Sequence, residues 1–246
     1  MKRFFYIFAL MLCVSRLLAA GVADNFSGAN QFYAEGKFSE AAKTYESILS
    51  SGTVSPNLFF NYGDAEFKSG NLGRAIAAFR QAALLAPRDA EIRANLEFAR
   101  NQVQGTSQHE GRWEDWLGAL TLNEWTVLAA IAFWLAFLLF AAMQIRPALK
   151  GALGGVARYL AVAAVLLCAC LGIATAIHSS RQVAVVVMSD AVTRSGPFDD
   201  AQNAFAVHDG AELPVLDRHS GWVEVSDSAG RTGWMLDSQV EVLPAI

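Results

Sequence analysis

The chain has 246 residues, of which 54% are hydrophobic and only 17% charged. Soluble domains average about 25% charged residues, so part of the apolar content is expected to face lipid. Residues 24–104 carry nine acids and eight bases, and residues 182–246 ten acids against three arginines. Neither has the clustered basic surface that a phosphate backbone requires, which argues against nucleic acid as a partner.

Residues 1–23, "MKRFFYIFALMLCVSRLLAAGVA", have the pattern of a signal peptide. Lys2 and Arg3 make the positive start, Phe4 to Val14 the apolar core, and small residues follow. Arg16 is irregular so late in the segment, and an uncleaved anchor is the alternative.

Residues 24–104 contain an internal repeat. "GKFSEAAKTY" from Gly36 returns 34 residues later as "GNLGRAIAAF" from Gly70. Gly36 aligns with Gly70, Ala41 with Ala75, and Tyr45 with Phe79. A period of this size marks a stacked helical array. The glycines fall where two helices meet, the alanines permit close approach, and the aromatics fill the remaining space. Ala41 and Ala75 are therefore expected to tolerate no added bulk. The copies span about 22–55 and 56–89, and "AEIRANLEFARNQV" supplies a capping helix over 90–104.

Residues 105–123 combine a polar linker with a Trp-bearing segment. There Trp113, Trp116, Leu117 and Leu120 share one helical face suited to a membrane interface. Two apolar spans follow, 124–143 and 159–177, each nineteen residues or more and free of charge from Trp125 and from Tyr159 onward. Such a length covers the hydrocarbon layer. The loop 144–158 between them holds Arg146, Lys150 and Arg158 and no acid, which places it in the cytoplasm.

From residue 182 the pattern changes to short β-branched runs: "VAVVVM", "AFAV", "LPVL", "WVEV", "TGWM" and "VEVL". Turn signals separate them. Five or six short strands in some sixty residues predict a small barrel, expected to fold as a separable unit. In "WVEV", Val223 and Val225 share one face, and Trp222 is the candidate for an exposed contact.

Chemistry-bearing clusters are missing from the sequence. Cys168 and Cys170 lie two apart in an apolar run and point to different helical faces, a poor metal clamp. The four histidines form no ligand-spaced set, and no GxSxG, HExxH or phosphate loop occurs. The expectation is a protein that is not an enzyme, with no cofactor and no metal.

The repeat resembles the tetratricopeptide repeat (TPR), most fully in "NYGDAEFKSGNLGRAIAAFRQAALLAP". The first copy departs from it, with Ala29 for glycine and Thr53 for proline. By position, the resemblance implies a partner-binding groove lined by Asn30, Tyr33, Asn61, Asp64 and Lys68. The tail, with "AVTRSGP", "GWVEV" and "GRTGWM", resembles the bacterial SH3 domain. The expected fold class is thus a multidomain membrane protein: an α-helical TPR solenoid, a two-helix transmembrane hairpin and a small all-β SH3-like barrel at 182–246. This order resembles the BatE proteins of the aerotolerance (Bat) operons. That resemblance implies a scaffold in a membrane complex with von Willebrand A-domain proteins and a MoxR-type ATPase. It would sit in the bacterial inner membrane, with the repeats and tail on the periplasmic side and protein or peptide partners. The alternative is a cell-wall (peptidoglycan) binding protein acting through the tail.

Overall fold

The structure is a computed structural model that describes residues 25–103, 121–180, 182–189 and 191–244. The leader at 1–23 and the interfacial residues Trp113, Trp116, Leu117 and Leu120 lie outside the described residues. Two compact units result: one joins the helical array to the strands, the other holds the two apolar helices.

The array begins with α1 (residues 25–34) and continues through α2 (Phe38–Ser50), α3 (Pro56–Lys68), α4 (Leu72–Leu85) and α5 (Ala90–Arg100). Local sequence starts some of these helices directly. The Ser55 hydroxyl accepts from Leu58 N–H at 3.1 Å at the head of α3, and Pro56 fills the first turn; a proline there forfeits no hydrogen bond. Asp89 caps α5 through Glu91 N–H and Ile92 N–H.

The 34-residue period is a period of packing. Gly36 and Gly70 adopt φ of 76° and 87°, a left-handed turn that costs a non-glycine residue about 1–2 kcal/mol. Ala41 and Ala75 are both fully buried, and so are Tyr45 and Phe79 behind them. Burying an aromatic of this size contributes about 1.5–3 kcal/mol. A Cβ at Gly63 would lie 2.9 Å from the Phe79 ring and 3.3 Å from the Ala75 carbonyl. α3 and α4 therefore touch at close range, and the Ala75 site has no room to grow.

Among the described residues, seven strands follow the apolar helices: β1 (Gln182–Val186), β2 (Ala191–Arg194), β3 (Asn203–Val207), β4 (Glu212–His219), β5 (Trp222–Ser226), β6 (Thr232–Leu236) and β7 (Val240–Pro244). They form one sheet in the order β3-β2-β6-β5-β4-β1-β7. Pairing is antiparallel for β1/β4, β2/β3, β2/β6, β4/β5 and β5/β6. The six predicted runs coincide with six strands, and β2 is additional. It is only four residues long and contains a buried polar residue, Thr193, whose hydroxyl donates to Phe205 C=O at 2.9 Å and accepts from Phe205 N–H at 3.1 Å. That exchange bridges the register shift between β2 and β3.

The sheet and the helical array share one compact unit. Ala184 and Val186 of β1 belong to the core of the sheet with Val223, Val225 and Met235. Val185, on the opposite face of β1, enters the core of the array with Ala75, Ile76, Phe79 and Leu96, joined there by Leu243. This explains why "VAVVVM" does not alternate: a strand buried on both faces reads as a continuous apolar run.

In the second unit, α6 (Leu122–Ile145) and α7 (Leu149–Ser180) pack against each other. Both are long and apolar enough to cross a membrane, and large side chains such as Phe133, Trp134, Phe137 and Phe140 remain exposed along α6. Thr121 and Glu124 form a capping box at the start of α6. The predicted loop 144–158 is mostly helix. The chain turns within residues 146–148, and α7 runs 32 residues, about 48 Å at 1.5 Å per residue. Pro147 precedes α7 and nothing after it stops a helix; the glycines at 151, 154 and 155 only weaken one.

Candidate functional site

The described residues bring four of the five predicted groove residues together between α1 and α3. Tyr33 donates to Asp64 Oδ2 at 2.9 Å. Asn30 Oδ1 accepts from the Tyr45 hydroxyl at 2.5 Å and from Asn61 Nδ2 at 3.3 Å. Helical spacing sets this up: residues three or four apart share a face, so Asn30 and Tyr33 meet Asn61 and Asp64 across the hairpins. Burial, and then the neighbouring Asp64 carboxylate, push the Tyr33 phenol up to about 12. It therefore remains a donor throughout the physiological range. Lys68 stands exposed one turn beyond Asp64. Chemically the face offers carboxamides, a phenol, a carboxylate and an ammonium group, all suited to hydrogen-bonding another chain and none paired as nucleophile and base.

Trp222 does not fit its predicted role. It is 8% exposed, with the Arg194 guanidinium 5.6 Å above its ring. Pairing of β5 with both β4 and β6 places it opposite His219 and Leu236, so the ring is a packing element.

A second polar constellation lies where the sheet meets the array. Glu212 at the start of β4 binds Arg80 of α4 and Arg100 of α5; Arg100 Nη2 donates to its Oε2 at 2.9 Å, with further bonds from Arg100 Nε and Arg80 Nη1. Arg80 is buried. Burial pushes the Glu212 carboxyl up, but the hydrogen bonds and charges of Arg100 and Arg80 outweigh it and hold the group below the ordinary glutamate value. Nearby, Asp209 Oδ1 accepts from Gly73 N–H at 3.1 Å in the first turn of α4.

No family model matches the chain, and no curated protein matches it in sequence.

The repeat register places Asn30, Tyr33, Asn61 and Asp64 on facing helices; it does not place the junction. One signal for it was present: Arg80 lies at helical spacing from Ile76 and Ala83 on an otherwise apolar face of α4. An arginine placed there needs a buried partner. Among the described residues no group of three or more His, Cys, Asp or Glu side chains is placed to hold a metal ion.

Proposed function

We propose that this protein is a non-enzymatic, membrane-anchored scaffold. It binds an extended peptide or a partner's tail on the TPR-like face built by Asn30, Tyr33, Asn61, Asp64 and Lys68. The observation that carries the reading is the Tyr33–Asp64 and Asn30–Asn61 network, which holds polar groups in fixed positions on a partly exposed helical face. Fixed groups lose little entropy on binding a second chain. The resemblance to Bat-operon proteins supports a place in a membrane complex containing von Willebrand A-domain proteins and a MoxR-type ATPase. Wall binding through the SH3-like tail is the weaker reading, because its best candidate contact, Trp222, is buried.

Affinity purification of the intact protein in mild detergent tests this. Replacing Asn61 and Lys68 together by alanine should reduce recovery of the co-purifying partner by about fivefold or more while the melting curve stays in place. Equal recovery from the variant removes the groove from the reading.

On this reading the array and the tail are periplasmic, because the basic residues Arg146, Lys150 and Arg158 cluster at the turn between the two apolar helices and in the first turns of α7. Alkaline phosphatase fused after Gln104 or after Ile246 should be active, and fused at Lys150 inactive. Activity at Lys150 with silence at the other two positions would reverse the arrangement.

A further inference from the structure

We propose that the sheet is an intramolecular clamp: it caps the helical array, and the two open and close as one cooperative unit. Three kinds of contact carry this. The first is a helix cap supplied in trans. α3 and α5 are capped by their own preceding residues, Ser55 and Asp89. At α4 the preceding Asn71 makes no cap bond; its side chain donates instead to Glu66 Oε2. Asp209, 136 residues further along, takes the place of the cap through Gly73 N–H. Free N–H groups in a first turn need such an acceptor, and a negative charge there also meets the positive end of the helix.

The second contact is the carboxylate of Glu212 held between two helices. A buried ion cluster adds little net stability, because desolvation offsets the attraction, but it penalises every arrangement that leaves one charge unpaired. Glu212 reaches Arg80 of α4 and Arg100 of α5 together, so β4 has one seat on the array. The third contact is close backbone approach with shared apolar packing. A Cβ at Gly73 would fall 1.9 Å from the Val186 carbonyl, and one at Gly210 would meet Val103, Ile76 and Leu72 at 2.9–3.2 Å. Val185 and Leu243 complete the core of the array. The face of α4 and α5 covered in this way is closed to other proteins.

Hydrogen exchange followed by mass spectrometry on the full chain in detergent tests the clamp. Glu212→Gln should accelerate exchange of the amides of Ile76–Ala83 in α4 and of Trp222–Val225 in β5 by similar factors, about tenfold or more. The milder Asp209→Asn should speed the same two segments together by a smaller factor, and should keep the test decisive if Glu212→Gln does not fold. Within α4 its largest effect should fall on Leu72 and Gly73, with the first turn of α2 unchanged. Acceleration confined to the strands or to the helices would overturn the proposal, as would exchange unchanged in both variants.

Discussion

Glu212→Ala should destabilise the helix–sheet unit by about 3–5 kcal/mol, the usual cost of removing one partner from a buried ion pair. The cost comes from what remains. Arg80 is 1% exposed and cannot reach water, whereas Arg100 is about one-third exposed and can turn outward. Replacing all three together, with Glu212→Leu, Arg80→Met and Arg100→Leu, should recover most of the loss, because no charge is then stranded. Calorimetry of the full chain in detergent reads both. The carboxyl also predicts a pH dependence. Its folded value lies below the ordinary 4.5, so between the two values the unfolded chain binds more protons. Its contribution is therefore complete above about 4.5 and is lost as pH falls through the lowered folded value. The triple variant should lack that component. A Glu212→Ala protein that melts with the wild type would show that the cluster does not hold the junction.

Gly73→Ala should be the second most damaging of these changes, although it introduces the best helix former into a helix. In an open helix the exchange would gain about 1 kcal/mol. Here the new Cβ would lie 1.9 Å from the Val186 carbonyl oxygen and 2.4 Å from Asp209 Oδ1. That carbonyl is fixed by Gly210 N–H at 2.8 Å, so β1 must move away from α4. Overpacking of this kind costs about 1–3 kcal/mol, and losing the Asp209 cap adds about 1 kcal/mol. The net expectation is a loss of about 2 kcal/mol, seen as a midpoint several degrees lower. Gly28→Ala is the control, since nothing lies within 4 Å of a Cβ there; it should be neutral or slightly stabilising. Equal behaviour of the two variants would refute the close approach.

The hairpins were legible in the sequence because each packing role repeats 34 residues later: turn at Gly36 and Gly70, close contact at Ala41 and Ala75, bulk at Tyr45 and Phe79. Local pattern also revealed six strands and both apolar helices. It failed at β2, where a buried hydroxyl replaces the expected apolar residue at Thr193, and at 149–158, where basic residues drew attention away from an unbroken helix. The polar network is related to the repeat: Tyr33–Asp64 and Asn30–Asn61 are each 31 residues apart, about one helical turn short of the 34-residue period, so equivalent helices of the two copies face each other. The junction follows from no period. Gly73 and Arg80 come from α4 and Arg100 from α5, while Asp209 and Glu212 lie more than a hundred residues further along, just before and at the start of β4, and each has an ordinary local role: a solvated charge, a turn, a helix start. Only their meeting shows that "HDGAE" is an interface.

The trans cap also sets an order of events during synthesis. Asp209 follows Gly73 by 136 residues, and both long apolar helices lie between them. At about 5–20 residues per second, the ribosome delivers Gly73 about 7–27 seconds before its acceptor. Throughout that interval the first turn of α4 waits uncapped, and Arg80 waits for its carboxylate. Leu72, Ile76 and Arg80 are meanwhile open to any apolar or acidic surface nearby. The nascent array thus exposes a face that the finished protein hides, and the exposure ends only when the last strands have been made.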